Sequence, residues 1–239
     1  MKSTRRTATV VGALFLTAMG ASLVGGGLIG SALDVSDPLA AAHSSSAKVV
    51  AGVLLELVNC AAVVGIAVLL FPILRRRSQA VAFGYVGFRI IETALIAVAA
   101  VIPLALIELG QTYAGAEGDS IGGLGPALLA SREQLLGLGV ATFFCLGAAL
   151  LYSLLYRSRL VPRFISVWGL IGVVSVFALN VIQAFAGGEA TSATMVLAVP
   201  IITNEIFLGI WLLTRGFTEA PPASEAAHGG ADELRLESA

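Results

Sequence analysis

The sequence predicts an all-α integral membrane protein, a bundle of six transmembrane helices with both termini cytoplasmic. Three observations carry that prediction. Six apolar runs are each long enough to cross a bilayer core of about 30 Å, which takes about 20 residues of α-helix. Hydrophobic residues make up 57% of the 239-residue chain and charged residues only 12%. A soluble domain carries about 25% charged residues, so a water-soluble globule is excluded. Finally, the basic residues occupy alternate gaps between the runs. Lys2, Arg5, Arg6, Arg75, Arg76, Arg77, Arg157, Arg159, Arg163 and Arg215 flank one side, whereas Asp34, Asp37, Glu108, Glu117, Asp119, Glu133 and Glu189 mark the other, with Lys48 and Arg132 among them. Positive charge stays cytoplasmic, which orients the bundle.

Taken in order, the spans cover about residues 7–33, 48–74, 80–107, 130–156, 164–187 and 191–214. Thr7–Leu33 carries no charge over 27 residues. A signal-peptide core runs only about 7–15, so this stretch is read as a retained first span despite the basic residues before it. Its Gly26-x-x-x-Gly30 pair and the cluster Gly20, Gly25, Gly26 and Gly27 predict close helix approach. The second and third runs are equally apolar but contain Glu56, and Arg89 with Glu92. Gln134–Tyr156 and Phe164–Gly188 are free of charge. The sixth contains Glu205 and also Pro200, which has no N–H for the carbonyl of Val196 and predicts a kink one turn before Asn204. Asp34–Ala47 and Glu108–Leu129 read as loops on the acidic side, with turn signals at Asp37-Pro38 and Gly122-Gly123-Leu124-Gly125-Pro126. The chain thus divides into a membrane domain over 1–217 and an acidic, aperiodic tail over 218–239, expected to be disordered and cytoplasmic.

Gly65–Gly87 and Gly147–Gly169 echo each other at an offset of 82 residues, with six of 23 positions identical, among them Arg75/Arg157 and Arg77/Arg159. A duplicated hairpin would produce this. So would chance in glycine-rich apolar helices.

The chemistry sits in polar residues inside the spans. A charge at a helix centre costs about 2.5–3.5 kcal/mol on insertion scales, so it normally has a partner and often a role. Glu56 and Asn59, Arg89 and Glu92, and Asn180 and Gln183 are each three residues apart, which puts both members of a pair on one helix face. Asn204 and Glu205 add a polar point on the sixth span. At about 1.5 Å per residue from the basic ends, Arg89 lies about 13 Å deep, Glu205 about 15 Å and Glu92 about 18 Å. Asn59 comes to about 20 Å, with Glu56 and Asn180 near 25 Å. Arg89 is therefore expected to reach both Glu92 and Glu205, leaving Glu56 to Asn180 or water. Glu56, Asn59, Arg89, Glu92, Asn180, Asn204 and Glu205 form the candidate ligand-binding set.

Two readings of that set stay open. In one, it lines a small polar cavity, opening outward past Glu56, that binds a small polar or cationic solute, moves it, relays protons, or serves an accessory membrane role. In the other, the chain is a structural or partner-binding subunit and the same residues only clamp helices together. An intramembrane enzyme fits less well, because both histidines, His43 and His228, fall outside the spans, and no Gly-x-Ser-x-Gly, P-loop or Cys-x-x-Cys is present. No catalytic residue, metal site or cofactor is assigned. The loop bearing Arg157, Arg159 and Arg163 sets topology and offers positive charge to lipid headgroups. Expected partners are membrane lipids and a small polar or cationic solute, with no nucleic acid. Cys60 and Cys145 lie inside different spans and are read as small buried hydrophobes.

Three segments carry a family likeness: Phe88-Arg89-Ile90-Ile91-Glu92, Leu155-Tyr156-Arg157-Ser158-Arg159-Leu160-Val161-Pro162-Arg163, and Glu205 with Trp211-Leu212-Leu213-Thr214-Arg215-Gly216. Over about residues 5–217 the chain resembles a bacterial multi-pass membrane family, the domain of unknown function numbered 4386. The resemblance implies a six-span protein of the bacterial inner membrane and implies no activity.

Overall fold

The computed structural model describes residues 2–112, 123–185 and 196–218. The predicted tail from 219 onward, with His228, and the loop acids Glu117, Asp119 and Glu189 lie outside the described residues. Among the described residues there is no strand. Among the same residues, six helices or helix assemblies are long and apolar enough to cross a membrane: Thr4–Leu33, Ser46–Leu74, Gln79–Thr112, Leu124–Ser158, Arg163–Phe185 and Val196–Thr214.

The first span is one helix, α1 (Lys2–Leu33). The loop expected over 34–47 contains a short helix, α2 (Pro38–Ser44), started by Asp37, whose carboxylate accepts from the Ala40 N–H at 3.1 Å, and by Pro38 in the first turn. The second span, α3 (Ser46–Leu74), carries Pro72 in its last turn. A tight turn over residues 75–78 leads to α4 (Gln79–Ala99), where the Ser78 hydroxyl caps the Val81 N–H.

The third span runs past the predicted 107. After α4 the chain pauses at Ala100 and continues as α5 (Val101–Thr112). Pro103 explains the break, since it cannot donate to the carbonyl of Ala99. The fourth span starts earlier than 130, at α6 (Leu124–Gln134), so most of the glycine- and proline-marked turn is helical. Pro126 is tolerated there because a first-turn residue needs no intrahelical N–H partner. Leu135–Val140 then forms a π-helical turn containing Gly137 and Gly139, and α7 (Ala141–Ser158) completes the span. The sequence held no signal for the π turn. The fifth span is α8 (Arg163–Phe185). The sixth opens with a 3₁₀ turn, Val196–Ala198, and becomes α9 (Val199–Thr214). Pro200 therefore sits at the start of α9, where it caps rather than kinks.

The spans close into a ring. Each packs against the span before and after it, and α9 returns to α1. Two backbone contacts made through glycine seal α1 to its neighbours. A Cβ at Gly12 would lie 2.6 Å from the Gly209 carbonyl oxygen on α9, and one at Gly25 would lie 2.9 Å from that of Gly52 on α3. The Gly26-x-x-x-Gly30 pair makes neither contact: Gly26 faces open space and Gly30 meets Asp34. The Arg5 guanidinium donates to the carbonyl oxygens of Thr214 and Arg215, both at 2.7 Å, satisfying free acceptors at the end of α9. This end of the bundle, with both turns rich in arginine, is called the terminal end below, and the opposite one the distal end.

The echoed segments do not superpose as hairpins in their sequence register. Leu74 and Ser158, which end α3 and α7, are 84 residues apart, as are Gln79 and Arg163, which start α4 and α8. An offset of 82 thus places Arg75 in a turn but Arg157 inside a helix.

Candidate functional site

A cavity of about 240 Å³ lies inside the ring, with walls from five of the six spans. Its polar lining comprises Ser22 from α1, Asn59 from α3, Tyr85, Arg89 and Glu92 from α4, and Glu205 from α9. Apolar walls include Phe15 and Phe144, and the π turn contributes Leu136 and Val140. A π turn offsets the helix by part of a turn, and such turns recur at functional sites.

Arg89 is buried, with 4% of its surface exposed. Its Nη1 donates to Glu92 Oε2 at 2.9 Å and Oε1 at 3.2 Å. The guanidinium also stands over two rings, 5.0 Å from Phe144 and 5.5 Å from Tyr85, contacts that favour a cation in apolar surroundings. Gly147 lies beside this seat, where an added Cβ would stand 3.4 Å from the Arg89 side chain, at ordinary contact distance. Thr93 returns its hydroxyl to the Arg89 carbonyl at 2.9 Å, so it is spent on its own helix.

Glu205 is the correction to the expected trio. It is half-buried on the cavity wall and, among the described residues, has neither a hydrogen bond nor an ion pair. Arg89 pairs with Glu92 alone, although its charge is felt at Glu205 across the cavity. Both carboxylates were within reach by depth. The i, i+3 partner on the same helix is held in place by the helix itself, so it wins.

The remaining candidates lie elsewhere. Glu56, expected to lack a cation, is paired with Arg132 on α6, and both are buried. It is not part of the cavity wall. Asn180 donates to the Val176 carbonyl of its own helix at 2.8 Å and does not solvate Glu56. Asn204 donates to the Ile165 carbonyl at 2.9 Å, joining α9 to α8. Arg157 lies in the last turn of α7, Arg159 takes a left-handed conformation with φ of 54°, and Arg163 stacks on Tyr156 at 5.1 Å. Sequence reasoning missed Arg132 altogether, having left it among the loop charges. It also missed Tyr152, buried near Glu205 with a hydroxyl that has no hydrogen-bond partner among the described residues. Among the described residues, no group of three or more His, Cys, Asp or Glu is placed to hold a metal.

Residues 10–216 match the sequence profile of a family described as Domain of unknown function (DUF4386). No curated protein and no solved structure matches the chain significantly.

Proposed function

The chain belongs to the DUF4386 family, and we propose that it is a multi-pass protein of the bacterial cytoplasmic membrane whose central cavity binds a small polar solute bearing positive charge. The observation that carries this reading is Glu205, a carboxyl on a cavity wall with no hydrogen-bond or ion-pair partner among the described residues. A cation from solution would supply what the protein leaves out. Arg89 is already committed to Glu92, which leaves the site with one acceptor carboxyl beyond a matched pair.

The clamp reading is weakened by where the bonds fall. Arg89 and Glu92 lie on one helix, so their bond joins no two spans. Helix clamping is done by other residues, Asn204 with Ile165 and Glu56 with Arg132. The volume of about 240 Å³ falls below the roughly 300–1,000 Å³ of drug-sized sites, which favours a solute of a few heavy atoms. Phe15 adds a ring face that Arg89 does not occupy.

Thermal unfolding of the detergent-solubilised protein tests the reading, using ammonium, methylammonium, guanidinium and choline against acetate and phosphate. A cation at about 100 times its Kd should stabilise by about 2.7 kcal/mol, and Glu205→Gln should remove that effect while folding normally. Equal stabilisation of the Gln variant, or none by any cation, overturns the proposal.

A further inference from the structure

We propose that a groove at the terminal end of the bundle is a binding site for an anionic phospholipid, separate from the solute cavity. The groove encloses about 710 Å³, roughly three times the central cavity, between the start of α1, the end of α3 and the Leu160 side chain. Its polar mouth is formed by Arg76 and Arg77 with Thr4, and its apolar floor by Val68, Leu69 and Ile73.

The chemistry at the two ends of the groove differs as it does along a phospholipid. Arg76 and Arg77 are exposed and, among the described residues, their guanidinium groups have no hydrogen bond, ion pair or ring contact. Their neighbour Arg75 is spoken for, lying 5.9 Å from the Phe71 ring centre. Two adjacent forks with five N–H donors each match the oxygens of a phosphate diester. A little over two turns deeper, Val68 is 57% exposed, so an apolar face of α3 is turned outward where an acyl chain would run. A free phosphate would use the arginines but leave the floor unfilled. A zwitterionic lipid would fill the floor but cancel the headgroup charge.

The full chain, purified in an uncharged detergent, is titrated with phosphatidylglycerol, with phosphatidylcholine of the same acyl chains, and with glycerol phosphate, and retention is read by native mass spectrometry. Phosphatidylglycerol should be held in preference to the other two. Arg76→Gln with Arg77→Gln should weaken it about thirtyfold, at about 1 kcal/mol per basic residue and 1.4 kcal/mol per decade. Leu69→Trp, which fills the floor without touching charge, should weaken it as well, and carries the test alone if the double variant fails to fold. Arg157→Gln with Arg159→Gln should leave retention unchanged. Equal retention of glycerol phosphate would make this a soluble-anion site and overturn the proposal. Equal loss from both arginine pairs would reduce the effect to surface charge and do the same, as would unchanged retention in Leu69→Trp.

Discussion

Glu56 and Arg132 form a buried ion pair between spans two and four, which are not consecutive in the ring. The bond reaches across the distal side of span three, one helical turn beyond the cavity. Asn59, three residues from Glu56, lines the cavity, and so does Leu136, four residues from Arg132. The pair therefore braces the bundle on the distal side of the site without belonging to it.

That relationship makes Glu56→Gln a stability variant. Removing one partner of a buried pair typically costs about 3–5 kcal/mol, because the other charge is left stranded. Denaturant or thermal unfolding of Glu56→Gln and of Arg132→Ala should show that loss. Combining Glu56→Gln with Arg132→Met should recover most of it. Additive losses in the combined variant would mean the two side chains do not pair.

Arg89→Ala should also lose about 3–5 kcal/mol by stranding Glu92. The structure distinguishes the two carboxylates as rescuers. Adding Glu92→Gln should restore much of the stability, whereas adding Glu205→Gln should restore little. Rescue by the Glu205 change in preference would reinstate the three-membered cluster that depth counting predicts.

Two glycines at the ends of the echoed segments should behave oppositely. A Cβ at Gly169 would fall 2.5 Å from the Tyr152 ring, a fully buried side chain, so Gly169→Ala should cost about 1–3 kcal/mol through overpacking. Gly87 faces open space, and Gly87→Ala should lie within about 1 kcal/mol of wild type, with any gain coming from helix propensity. Melting of both variants in one detergent checks the contrast.

Topology is checked by thiol labelling in intact cells, in a background with Cys60 and Cys145 replaced. Cysteines at Ser78 and Ser158, in the two terminal-end turns, should react only with membrane-permeant reagents, as the arginine asymmetry requires. A cysteine at Ser45, between α2 and α3, should react with impermeant ones. Impermeant labelling at Ser158 would invert the orientation.

The fold was legible because span length and composition are local properties, and bilayer thickness is a single number against which each run is measured. The Arg89–Glu92 pair was legible for a similar reason, since one helix fixes both residues. Glu56 with Arg132 was not. By helical rise alone, Arg132 is about 39 Å from Ser158 while Glu56 is about 27 Å from Leu74, so counting separates them. A 35-residue span is about 52 Å long, more than a bilayer's thickness, and it must lean or project, which makes straight-helix depth a poor guide there. Asn180 and Asn204 were misplaced on another ground. Asparagine bonds to backbone carbonyls as readily as to side chains, and spacing does not say which it will choose.

The seam between Arg5 and the end of α9 bears on how the protein is made. Translation yields α1 first and α9 last, and at about 5–20 residues per second the two are separated by about 10–40 s. Through that interval the Gly12 face of α1 and the Arg5 side chain have no mate in the nascent chain. The ring is therefore a bracelet whose clasp is synthesised last, and any truncation before Thr214 releases a chain that membrane quality control meets with its first helix unlatched.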